Sequence, residues 1–105
     1  MDAEAEDCPP APIPDGALFR ELAIINRKGL HARASAKFVQ TVERFDAAVT
    51  VTRCGETVGG RSIMGLLTLG AAKGTTITVT ALGDDAAESL AALTALVENR
   101  FGEEE

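Results

Sequence analysis

Along most of the chain, apolar and polar residues alternate, recur at three- and four-residue spacing, and then alternate again. In residues 18–25, Leu22 and Ile24 share one face and the opposite face also carries apolar neighbours, a pattern that predicts a strand. Residues 26–30 read as a charged, glycine-containing loop. From Ala32 onward small residues are followed by Phe38, Val39, Val42 and Phe45 at helical spacing, with Lys37, Gln40 and Glu43 between them. A helix is therefore expected to start directly after His31. Residues 48–53 alternate, Val49 and Val51 on one side and Thr50 and Thr52 on the other, and Cys54-Gly55 marks a tight turn into residues 56–59. Ser62 before Ile63, Leu66 and Leu67 predicts a short, serine-capped helix that stops near Gly70. Residues 75–81 alternate with Ile77 and Val79 inward. Asp84 or Asp85 then caps a last helix, in which Asp85 and Glu88 have capping-box spacing and Ala86, Leu90, Leu93, Val97 and Phe101 form one stripe.

The order strand, helix, strand, strand, helix, strand, helix predicts an α+β domain, most simply a four-stranded antiparallel sheet with the helices on one face. The other face, rich in threonine, can stay wet. At 105 residues there is room for one core. Residues 1–16 hold all four prolines and five acids with few bulky apolar groups, so they are expected to be a disordered leader. The domain then spans residues 17–102, and residues 103–105 form an acidic tail.

Charge changes this picture because it is unevenly placed. The net charge is −6, but the leader and the tail hold eight of the sixteen acids, leaving ten basic against eight acidic residues between them. From Arg27 to Arg44 there are five basic residues and a single acid, Glu43, a local field suited to anions. With no Trp or Tyr and four scattered Phe, stacking platforms for nucleic acid are missing. No apolar run approaches the roughly 20 residues of a membrane span, and the acidic start does not read as a signal peptide. Cys8 and Cys54 have no neighbouring Cys or His that would make a redox or metal motif. These features fit a cytoplasmic protein in a reducing compartment, without metal, membrane insertion or nucleic acid.

His31 is the only histidine, and it stands where the first long helix starts. A helix N-terminus leaves about four backbone N–H groups unpaired and carries partial positive charge, so the amides of Ala32 and Arg33 can cradle a phosphate. The Arg33 guanidinium suits bidentate contact with phosphoryl oxygens. A positive helix end favours uncharged imidazole, the form with a lone pair for attack. On spacing alone, a solitary histidine beside a helix start is more often a solvent-facing loop residue. No second base, carboxylate dyad, nucleophile triad or P-loop accompanies it, which argues against a self-contained hydrolase.

The segments GLHARASAKFV and GRSIMGLLTLGAAKGTTITV, at this mutual distance, resemble the HPr family, the histidine-containing phosphocarriers of the bacterial phosphoenolpyruvate-dependent phosphotransferase system. The likeness covers residues 17–101. It implies an open-faced β-sandwich of four strands and three helices, and a carrier rather than an enzyme acting alone on a small substrate. On this resemblance His31 accepts a phosphoryl group on Nδ1 from phosphorylated enzyme I and passes it to IIA-type proteins, with no cofactor, and Arg33 is the active-site arginine. Ser62 matches the serine modified by HPr kinase/phosphorylase, a further implied partner, although a plain N-cap there already contributes about 1 kcal/mol. Ile63, Met64 and Leu67 match the family's partner-docking patch. Ala34 stands where much of the family has proline, and Lys28 where many members have a small polar residue. The HARASAKFV variant resembles α-proteobacterial members, whose output is often nitrogen- or carbon-related regulation. Two other readings use the same residues: a non-catalytic adaptor switched at Ser62, and a module that binds small anions at Ala32 and Arg33 without covalent chemistry.

Overall fold

The structure, a computed structural model, describes residues 8–105. Its elements are β1 (Leu18–Ala23), α1 (Ala32–Val42), β2 (Ala48–Arg53), β3 (Glu56–Gly59), α2 (Ile63–Thr68), β4 (Thr76–Leu82) and α3 (Ala86–Glu98), followed by a short 3-10 turn, Arg100–Gly102. The strands form one antiparallel sheet in the order β1-β4-β2-β3. The alternation in β2 and β4 explains which side is covered: Val49, Val51, Ile77, Val79 and Ala81 join Phe38 and Val42 of α1, Leu66 of α2, and Leu90, Leu93 and Val97 of α3 in one core. Each of the larger side chains in this set, the Val, Leu, Ile and Phe, contributes on the order of 1.5–3 kcal/mol.

The threonine face is less wet than its pattern suggests. Thr80 lies between Phe19 of β1 and Thr50 of β2 in register and is buried, as is Thr52. Their hydroxyls find partners on neighbouring strands, Thr50 Oγ1 to Thr80 Oγ1 at 2.5 Å and Thr52 Oγ1 to Thr57 Oγ1 at 2.7 Å. Threonine at these positions supplies a buried polar contact that costs little because it is paired.

Three local expectations need correction. The capping box at α3 does not form: Asp85 is the N-cap, but its carboxylate makes no bond to its own helix and instead accepts the Asp46 backbone N–H at 2.8 Å. Phe101 is buried with the α3 stripe, yet it lies beyond the helix, in the 3-10 turn, at φ +55°. Arg100 also has positive φ, so the chain reverses there and does not continue the helix.

The third correction concerns the leader and the cysteines. Residues 1–7 of the expected disordered leader lie outside the described residues, and residues 8–16 form no helix or strand. They are nonetheless fastened: Cys8 forms a disulfide with Cys54 in the β2–β3 turn. The sequence reading, which found no local motif at either cysteine, did not foresee this pairing. A sequence separation of 46 residues hides such a pair from any local motif. The turn itself places Cys54 and Gly55 both at positive φ, +47° and +88°, the backbone of a tight two-residue hairpin connection.

Candidate functional site

Two close approaches set the start of α1. Gly29, at φ +67°, passes so near the 71–72 backbone that a Cβ would lie 2.5 Å from the Ala71 carbonyl oxygen. Only glycine allows this, and the adjacent Leu30 N–H then donates to that same carbonyl at 2.9 Å. The loop is also held from within. Asn26, fully buried, donates from Nδ2 to the Gly29 carbonyl at 2.8 Å.

His31 follows as the N-cap of α1 in extended conformation, and its carbonyl accepts the first helical bond from Ser35 N–H. Its ring faces two partners. Nδ1 accepts the Arg33 backbone N–H at 3.3 Å, and Nε2 lies 2.5 Å from Glu103 Oε2. A nitrogen that accepts must carry the lone pair, and a nitrogen against a carboxylate must carry the proton, so these partners assign the Nε2–H tautomer. The side chain keeps 27% of its exposure and remains open to approach.

The sequence reading missed this carboxylate. After the reversal at Arg100 and Phe101 the tail returns to the start of α1, where Glu103 bridges two residues: Oε2 meets His31, and Oε1 accepts from Asn26 Nδ2 at 3.1 Å. Both Asn26 amide hydrogens are thereby used on acceptors, which fixes the orientation of the amide and leaves its buried Oδ1 without a partner. Burial pushes the Glu103 carboxyl up, but hydrogen bonds from His31 and Asn26 and the nearby charge of Lys28 outweigh it and hold the group below its ordinary value. Farther out, Arg27 Nη1 pairs with Glu105 Oε1 at 2.8 Å, and Arg27 N–H donates to the Glu105 carbonyl. On the helix side Lys37 Nζ donates to the Phe101 carbonyl at 2.6 Å. The basic field expected around His31 is therefore partly neutralised by the tail. Charge opposition between the 27–44 segment and the three terminal acids was the signal that could have shown it.

Ala32 and Arg33 line the same open groove as His31, Lys28 and the tail. Ser62, Ile63, Met64 and Leu67 are not part of that groove. Ser62 caps α2, its Oγ accepting the Gly65 N–H at 2.9 Å. Beside it Ile63 and Met64 are exposed, at 40% and 71%, while Leu67 is half-buried and Leu66 takes the core position. Ala34, the departure from proline, is fully buried in the first turn of α1. Among the described residues, no cluster of His, Cys, Asp or Glu could hold a metal ion, and no helix is long and apolar enough to cross a membrane.

A family model described as the PTS HPr component phosphorylation site matches residues 19–99. The phosphocarrier protein HPr of Neisseria meningitidis is 51% identical over 84% of this chain and 99% of its own length. The phosphocarrier protein NPr of Shewanella violacea is 40% identical over 82% of this chain and 94% of its own. Among solved structures, HPr from Thermoanaerobacter tengcongensis superposes with a TM-score of 0.81 at 40% identity, covering 84% of this chain and 99% of that one. With the same four-stranded open sheet and three helices, and with a match that runs from β1 through α3, the chain belongs to the HPr family of phosphocarrier proteins of the phosphotransferase system.

Proposed function

We propose that His31 is the phosphoryl acceptor, receiving the group on Nδ1 from phosphorylated enzyme I and passing it to a IIA-type protein. The observation that carries this reading is the Nδ1 lone pair held at the N-terminus of α1, against the Arg33 N–H. For attack, that N–H releases Nδ1. The lone pair forms the new N–P bond while the donor's bond to phosphorus breaks and its electron pair returns to the donor. The freed Arg33 amide, the Ala32 amide and the Arg33 guanidinium then take the phosphoryl oxygens, charge stabilisation that needs no metal from this chain. Transfer to the acceptor runs the same steps backward.

Partner docking falls to Ile63, Met64 and Leu67, since two of the three are solvent-exposed on a short helix whose core position is filled by Leu66. Ser62 is the site for regulatory phosphorylation by HPr kinase/phosphorylase, its exposed hydroxyl standing at a helix start where a dianion is tolerated. The output is regulatory, nitrogen- or carbon-linked, on the strength of Lys28 and Ala34. The relay operates in the cytoplasm, where thiol reductants oppose the Cys8–Cys54 bond and the dithiol form meets the partners.

The test is labelling with phosphoenolpyruvate and enzyme I. Wild type acquires acid-labile phosphate, which chases onto one of the host's IIA proteins, and His31→Ala acquires none. A wild-type chain that stays unlabelled where another HPr is labelled overturns the reading.

A further inference from the structure

We infer that Glu103 is a positioning residue for phosphoryl transfer through His31; this rests on the reading of His31 as the phosphoryl acceptor. The carboxylate contacts the ring nitrogen that is not the nucleophile, Nε2, and leaves Nδ1 to the Arg33 N–H at the start of α1. It thus supports the reacting face instead of blocking it. Its second oxygen is anchored by Asn26, whose other amide hydrogen holds the Gly29 carbonyl two residues before the histidine. Loop, ring and tail are consequently locked by one pair of side chains.

Two effects follow for the chemistry. A carboxylate that accepts the Nε2–H fixes the tautomer that leaves the lone pair on Nδ1, as outer partners fix the tautomer of metal-bound histidines. When Nδ1 bonds to phosphorus, Nε2 keeps its proton and the ring becomes cationic, and Glu103 then faces a cation it already touches. The carrier state gains a counter-ion on the side of the ring away from the phosphoryl oxygens.

The experiment compares wild type, Glu103→Gln, Glu103→Ala and, as a charge control on the exposed end of α3, Glu98→Gln. Two readouts are taken: kcat and KM for phosphorylation by enzyme I, and the Nε2–H cross-peak of the unphosphorylated imidazole by NMR. In wild type the cross-peak is protected from solvent exchange. Glu103→Ala loses it and lowers kcat about tenfold with KM little changed, Glu103→Gln falls between, and Glu98→Gln matches wild type. A rise in KM alone, or a lower kcat with the cross-peak intact, assigns Glu103 to docking and overturns the inference, as do unchanged kinetics in Glu103→Ala. A wild-type protein that takes no label removes the acceptor reading and this inference together, whereas a labelled wild type with an indifferent Glu103→Ala removes this inference alone.

Discussion

His31 and Ser62 each begin a helix by accepting a backbone N–H, from Arg33 at 3.3 Å and from Gly65 at 2.9 Å, yet their surroundings differ. At α1 the cap is long, the acceptor is a ring nitrogen with a lone pair, and Lys28, Arg33 and Glu103 stand around it. At α2 the cap is short, the helix has six residues, and the neighbours are the exposed apolar Ile63 and Met64. A shared capping geometry therefore does not by itself mark a reactive site. What separates the two is charge, and a carboxylate brought from 72 residues away.

The contrast is broken most completely by His31→Ala, which removes all transferable phosphate, while Ser62→Ala leaves labelling at His31 at the wild-type level. Next in size is reduction of Cys8–Cys54. Opening a cross-link that spans 46 residues costs about 4 kcal/mol of unfolding free energy, read as a lower urea midpoint with reductant than without. The loss is referred to the β2–β3 turn that leads into α2, so labelling of His31 persists in native buffer. Gly29→Ala combines positive φ with backbone contact at 2.5 Å and is expected to cost about 2 kcal/mol or more. Its NMR shifts should concentrate at Leu30 to Arg33 and spare Gly65. Ser62→Ala costs about 1 kcal/mol in the same unfolding assay.

The smallest effect is set by pH. Because the folded Glu103 carboxyl lies below its ordinary value, its contribution is complete above the ordinary carboxylate range and disappears as pH falls through the lower folded value. Acid titration followed at the Asn26 side-chain amide should show the tail leaving the α1 start in that window. The Ser62 cap has no titrating group, and its Gly65 amide should not move.

Much of this fold is written in short-range pattern. The two alternating stretches became β2 and β4, and the apolar spacing after His31 became α1, because in each case one buried face decided the element. The start of α1 was legible for the same reason, together with His31 as its cap. What stayed hidden joins distant residues: Glu103 with His31, Asn26 with Glu103, Cys8 with Cys54. Asp85 shows the limit from the other side. Its spacing to Glu88 fits a capping box, but the Asp46 N–H competes for the same carboxylate and wins. Local pattern names the donors and acceptors available, and tertiary folding chooses among them.

The reversal at Arg100 and Phe101 has a practical consequence for anyone handling this molecule. Because it delivers Glu105 to Arg27, whatever follows Glu105 begins at the rim of the histidine groove. An affinity tag there would compete with the native tail for its seat, and kinetics measured on such a fusion would mix the two. A small fluorophore at the same point would instead serve as a reporter of whether residues 103–105 stay seated beside the histidine.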